Sequence, residues 1–237
     1  RSFLQVSPDG ELLAVPGLDG NEYGLFVIPT AGGRPRLIER ILRHEAISPV
    51  WSPDGQWLAY TTGTNLVRVS RDLESREVLA TLVAWDSWNV RWSPDGKHLA
   101  ALGYFRPEDA APRGELNHVF VVSVADKQVR QLTPDSEDKY KEGLEWHPDS
   151  RRLTYFYYGP EEYSAKLKWV FLDEPGRVEE MLDQDGHWDY VGVWAPDGRH
   201  FHFASFPDQR EHKDLHIFDA QTKQVTHGVR EGYRPEW

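Results

Sequence analysis

Trp51-Ser52-Pro53-Asp54-Gly55-Gln56-Trp57-Leu58-Ala59-Tyr60 decides the reading of this chain, because the phrase returns. It recurs as Val6-Ser7-Pro8-Asp9-Gly10, Trp92-Ser93-Pro94-Asp95-Gly96, Trp146-His147-Pro148-Asp149-Ser150 and Trp194-Ala195-Pro196-Asp197-Gly198. Arg234-Pro235-Glu236-Trp237 opens one more copy. Measured at the Trp position, with Val6 in the first copy, the steps are 45, 41, 54, 48 and 43 residues. Proline presets φ at the second turn position, Asp braces the turn through its side chain, and Gly supplies the positive φ that returns the chain to its ladder. Ser150 stands where the other copies have Gly, so the fourth turn is expected to be strained by roughly 1 kcal/mol or less.

After the turn the pattern is variable, apolar, small, apolar: Leu12-Leu13-Ala14-Val15, Trp57-Leu58-Ala59-Tyr60, His98-Leu99-Ala100-Ala101, Arg152-Leu153-Thr154-Tyr155. Alternation sends the small residue to one sheet face and the bulk to the other, which suits sheets packed face to face and covered on both sides. A second hairpin follows in the repeats. Thr30-Ala31-Gly32-Gly33, Ala125-Asp126-Lys127, Glu174-Pro175-Gly176 and Ala220-Gln221-Thr222-Lys223 are its turns. Two hairpins per repeat predict four-stranded antiparallel blades, and a period of this length predicts a β-propeller. No stretch of helical length holds a 3.6-residue period unbroken by Pro, Gly or a turn cluster. The expected organisation is one domain over 1–237, with repeats at 1–44, 45–84, 85–138, 139–186 and 187–229 and another starting at 230–237.

The net charge of −11 argues against nucleic acid and anionic lipid as partners, since both need a basic surface. No apolar run is long enough to cross a bilayer as a helix. With no cysteine, disulfide scaffolds, thiolate zinc sites and cysteine nucleophiles are excluded. The first residue is Arg1 rather than Met, so a processed or trimmed product is expected, and a signal peptide would not be visible. No G-x-S-x-G elbow, H-E-x-x-H pair, phosphate loop or dinucleotide fingerprint is present.

The Ser-Pro-Asp-Gly turn, the Trp before it and the Leu-Ala-aromatic strand after it make the chain resemble the TolB-like β-propeller repeat family. That repeat also occurs in propellers of prolyl-oligopeptidase-type peptidases and of some polysaccharide lyases. The resemblance covers essentially the whole chain and is specific for fold rather than activity. It implies that the first strand of each blade lines a central channel. Ligands are then expected on the face made by loops leading into strand one and loops joining strands two and three. Five full repeats plus one extra first strand favour a six-bladed architecture whose last blade is incomplete here.

On that face the leading segments are aromatic and acidic. They carry Glu45, Asp86 with Trp88, Tyr140 with Glu142, then His187, Trp188, Asp189 and Tyr190, and finally Tyr233. If the blades superpose, Glu45, Asp86, Trp88, Tyr140, His187, Trp188, Asp189, Tyr190 and Tyr233 ring the channel mouth. Aromatic faces beside carboxylates suit a sugar, a peptide or a cation. The alternative is that the aromatics seal the core between blades while the acids are solvated.

His200-Phe201-His202 sets two imidazoles on one strand face, a candidate metal pair, and His202 replaces the small residue of the other repeats. Some lyase propellers of the resembled superfamily use His clusters with a metal. Ordinary hydrogen-bonding histidines are the other reading, and no metal or cofactor is expected. Asp183-Gln184-Asp185-Gly186 with Asp189 holds only the first pieces of a calcium loop and reads better as an acidic turn. The long insertion from Phe105 to Asn117, with 159–165 and 206–213, raises one side of the rim, which is either where binding specificity is placed or plain solvated surface.

Three functions follow. The first is a non-catalytic binding module holding a protein segment or a small ligand such as a sugar or peptide, periplasmic or secreted in a bacterium, with the cytoplasm also compatible. The second is a polysaccharide lyase using His187 or His202. The third is the gating propeller of a larger peptidase, whose hydrolase domain would lie outside this chain.

Overall fold

The computed structural model describes residues 4–41, 47–82, 84–104, 117–136, 140–158, 165–183, 192–205 and 214–230. The first three repeat turns are built in the same way, and His147 and Ala195 stand in place of the serine in the fourth and fifth. Ser7 Oγ donates to Asp9 Oδ1 at 2.6 Å and accepts the Leu12 N–H at 2.9 Å, while Asp9 Oδ1 also accepts from Glu11 N. Ser52 with Asp54 and Ser93 with Asp95 repeat the pattern. A hydroxyl can donate and accept at once, which is why Ser opens the turn. Gly10, Gly55, Gly96 and Gly198 sit at φ 77°, 68°, 71° and 65°, and Ser150 adopts the same left-handed conformation at 59°. The strain expected of the fourth turn is present.

The turns join strands into five four-stranded antiparallel sheets, each in simple sequence order. The first is β1 (Gln5–Val6), β2 (Leu12–Asp19), β3 (Glu22–Pro29) and β4 (Arg36–Arg40); the second is β5 (Val50–Trp51), β6 (Trp57–Thr62), β7 (Asn65–Ser70) and β8 (Arg76–Thr81). The third is β9 (Ala84–Trp92), β10 (His98–Tyr104), β11 (His118–Ser123) and β12 (Val129–Gln131). The fourth is β13 (Lys141–Trp146), β14 (Arg152–Tyr158), β15 (Ala165–Phe171) and β16 (Val178–Asp183). The fifth is β17 (Gly192–Trp194), β18 (His200–Ser205), β19 (Asp214–Asp219) and β20 (Gln224–Arg230). No helix occurs among the described residues. The chain forms two compact units, 1–108 with 119–130 and 109–118 with 131–237; the first holds the first three sheets except the edges of the third, the second holds the last two.

Within the first unit, sheets stack small face to bulky face. Ala14, Leu25 and Val27 of the first sheet meet Leu58, Tyr60, Val67 and Val69 of the second. Ala59, Leu66 and Ala80 on the second sheet meet Leu99, Ala101, Phe120 and Val122 of the third. The second unit repeats the scheme with Phe156, Leu167 and Trp169 against Phe201, Phe203 and Phe218. The repeat tryptophan is both core and staple. Trp51 Nε1 donates to Gln5 O at 3.3 Å, Trp92 Nε1 to Val50 O at 3.1 Å and Trp194 Nε1 to Thr154 Oγ1 at 3.3 Å, always in the preceding sheet. An indole buries a large apolar area and still satisfies its one donor.

Ala14, Ala59, Ala100 and Thr154 are fully buried, as the alternation requires. His202 is exposed. It shares its face with Val193 and Ile217, and Val193 is 54% exposed, so the outer face of the fifth sheet leaves room for an imidazole.

Candidate functional site

The loops between second and third strands and the segments leading into first strands lie at the same end of each sheet. In the second unit this end is well described at the fourth sheet. The register between β13 and β14 shifts between Glu142 and Glu145, where Gly143 takes φ 65°. A bulge at a strand's leading end re-aims its side chains. Here it accompanies the burial of two successive charged residues, Lys141 at 0% and Glu142 at 9% exposure.

Lys141 is clamped by Asn117. Asn117 Oδ1 accepts the Lys141 N–H at 2.7 Å, Asn117 Nδ2 donates to Lys141 O at 2.8 Å, and Lys141 Nζ donates to Asn117 O at 2.8 Å. Buried polar groups need such partners, since leaving one unmade costs roughly 1–3 kcal/mol. The Lys141 and Lys168 ammonium groups lie 5.7 Å and 3.8 Å from the Tyr157 ring centroid. Tyr140 Oη donates to Glu142 Oε2 at 3.4 Å. The result is a fixed set of cationic, carboxylate and phenol groups at the leading end of one blade.

In the first unit the same end carries a cavity of about 630 Å³ between the first two sheets, with Glu39, Thr62, Asn65 and Arg76 on its wall and Ile41 below. Tyr60 Oη and Arg76 both donate to Glu39 Oε2, at 3.0 and 2.8 Å. Burial first, and then the adjacent Glu39 charge, push the Tyr60 phenol above its ordinary range, so it remains a donor. The bond to Glu39 raises Arg76 in turn and keeps it cationic.

Of the residues expected at the mouth, Tyr140 is half-buried and paired with Glu142 as above. Asp86 and Trp88 fall in β9, with Asp86 opposite Leu102. Glu45, His187, Trp188, Asp189, Tyr190 and Tyr233 lie outside the described residues, as do Asp185, Gly186 and the insertions at 105–116, 159–164 and 206–213. His200 Nδ1 pairs with Asp197 Oδ2 at 2.7 Å, and no group of three His, Asp or Glu side chains placed to hold a metal occurs among the described residues. Sequence reasoning named Glu142 but passed over Lys141 and Asn117. The available signal was a Lys-Glu pair where a strand should bury its side chains. Glu39, Tyr60 and Arg76 carry no such signal, being brought together only by sheet stacking.

No family model matches the chain. A curated relative, tricorn protease homolog 1 of Streptomyces coelicolor, is 32% identical over 105 residues, 42% of this chain and 9% of that protein. Among solved structures, an oligogalacturonate lyase in complex with manganese superposes with a TM-score of 0.79 at 15% identity, covering 95% of this chain and 64% of the lyase. TolB from Acinetobacter baumannii superposes with a TM-score of 0.63 at 18% identity, covering 94% of this chain and 51% of that one. The chain thus spans less than two thirds of each of these proteins. The likenesses show the fold: its five sheets are blades of a β-propeller of the general TolB-like kind.

Proposed function

We propose that this chain is a binding propeller that holds a protein segment or small ligand on the face where its blades' leading segments gather, without catalysing a reaction there. The observation that carries this is the Asn117-Lys141-Glu142-Tyr140 cluster: charged groups are buried and oriented at that end of the fourth blade, where packing alone would favour apolar residues. The mouth set of Glu45, Asp86, Trp88, His187, Trp188, Asp189, Tyr190 and Tyr233 completes the face in this reading. The bacterial periplasm or cell exterior is the compartment that goes with it, on the likeness to TolB-type propellers. A sixth blade belongs to it as well, and the exposed apolar faces of the first and fifth sheets support that. Reading the parent gene beyond Trp237 tests the blade count directly. For the site, the affinity of the partner captured by the immobilised chain should fall about tenfold or more in Trp88→Ala and Trp188→Ala, as hot-spot aromatics do. Unchanged affinity in both removes this face as the site.

Two specific likenesses favour other readings. The lyase superposition favours a polysaccharide lyase with His187 or His202 as base or metal ligand; ultraviolet-absorbing elimination products from a uronate polymer with divalent metal would establish it, and their absence across a substrate panel would remove it. The tricorn homolog favours the propeller of a larger peptidase, which the parent gene would show as an adjoining hydrolase domain.

A further inference from the structure

We infer that the cavity between the first two sheets is a recognition site for an uncharged amide group of a bound polypeptide, a main-chain unit or a carboxamide side chain. The inference rests on the binding-module reading and names what one part of that face takes.

The walls are set by strand alternation. Thr62 pairs with Asn65 across β6 and β7, Arg76 pairs with Val69 across β7 and β8, and Glu39 pairs with Leu25 across β3 and β4. These registers place Thr62, Asn65 and Arg76 on the second sheet's bulky face and Glu39 on the facing side of the first, around a space of about 630 Å³. That volume is in the range of small-ligand sites, roughly 300–1,000 Å³.

The wall is wired but not saturated. Tyr60 and Arg76 both converge on Glu39 Oε2, so Glu39 Oε1 has no partner among the described residues. Asn65 accepts from Thr81 Oγ1 at 2.8 Å through Oδ1, and its Nδ2 donates to nothing described; the same holds for the Thr62 hydroxyl. The cavity therefore offers a carboxylate acceptor, an amide donor and a hydroxyl able to do either. An amide offers one N–H donor and one C=O acceptor, on opposite edges in a trans main-chain unit and on one edge in a carboxamide, and these are the partners this set calls for.

Two alternatives fit less well. A cationic or anionic ligand would meet a wall that is already balanced, Glu39 by Arg76 and Arg40 by Glu22. A sugar ring usually stacks on an aromatic face, and among the described residues the only apolar side chain on the wall is Ile41, since Tyr60 is fully buried and bonded to Glu39.

The test is a titration of the full chain with N-acetylated, C-amidated neutral tripeptides of the form Ala-Xaa-Ala, followed by the main-chain amide signals of Thr62 and Asn65, which every variant keeps. Saturable shifts are expected, with affinity falling about tenfold or more in Glu39→Gln and in Asn65→Asp, since a bond to a charged group is worth roughly 1.5–3 kcal/mol and tenfold is 1.4. Both variants keep the side chain's size, and matching thermal melts check that they fold. Absence of shifts with every peptide overturns the inference, as does affinity in both variants unchanged from that of the parent chain, or saturation by acetate or glucose instead. Its failure is separable from that of the mouth site. A captured partner that needs Trp88 and Trp188 but ignores Glu39 and Asn65 sinks this cavity alone, whereas peptides bound here with silent tryptophan variants sink the mouth alone.

Discussion

Ser150 holds the left-handed turn position at φ 59° while four glycines hold it elsewhere. An L-residue there costs about 1–2 kcal/mol against glycine, offset in part by the extra freedom glycine brings to the unfolded chain. Ser150→Gly is therefore expected to raise stability by about 0.5–1 kcal/mol, read as a shift in the urea midpoint at unchanged slope. The turn aspartates make a second prediction. Asp9 is lowered from 3.8 to about 2, first by the Ser7 hydroxyl and then by the Glu11 N–H; Asp197 is also lowered to about 2, first by the Arg199 N–H and then by His200. Asp54, Asp72 and Asp126 shift the same way, each led by a serine hydroxyl. A folded-state pKa below the unfolded one stabilises the fold above the unfolded value, and that contribution disappears as pH falls through the folded value. Stability should thus decline between about pH 4 and pH 2, and Asp9→Asn should flatten its share of the decline in acid-unfolding curves.

Strands and sheets are joined by hydrogen bonds that no sequence pattern displays. The repeat tryptophan reads as core bulk from the sequence, because its acceptor, a main-chain oxygen for Trp51 and Trp92 and the Thr154 hydroxyl for Trp194, lies some forty residues away. Trp92→Phe keeps most of the bulk but strips the bond to Val50 O, and a loss of about 1–3 kcal/mol is expected. Trp57→Phe is the control, since the Trp57 Nε1 has no acceptor among the described residues; its cost should be distinctly smaller in the same denaturant series. The bulge in β13 is the element that buries Lys141, and the Asn117 clamp holds it there. Asn117→Ala removes the two side-chain bonds to the Lys141 main-chain N–H and C=O while keeping the carbonyl that the ammonium meets, and should cost about 2–5 kcal/mol, a measure of how far the site's polarity depends on this clamp.

At the scale of the whole chain, the first sheet and the fifth each keep an apolar face exposed among the described residues. Val6 is 50% exposed on the first sheet, and Val193 and Leu215 are 54% and 53% exposed on the fifth. Leu58, at the equivalent of Leu13 but inside a stack, is fully buried. Leu58→Ala should cost about 2–5 kcal/mol, whereas Val193→Lys and Leu215→Lys in the isolated chain should stay within about 0.5 kcal/mol, both read by denaturant unfolding. If the lysine variants proved as damaging as Leu58→Ala, these faces would be covered in solution.

The sequence by itself determined the four-stranded blade and its repetition, because turn chemistry and strand alternation are local: Pro, Asp and Gly act within a few residues, and each strand's two faces follow from a period of two. It also marked Tyr140 and Glu142 as leading-end residues, since their offset from Trp146 is counted along one strand. Which side chains meet was decided only by the tertiary structure. Glu39, Tyr60 and Arg76 converge because one sheet lies on another, and Lys141 is buried because a bulge turns it toward Asn117. Such contacts depend on register and stacking between distant segments, which a repeat spacing that varies from 41 to 54 residues does not encode.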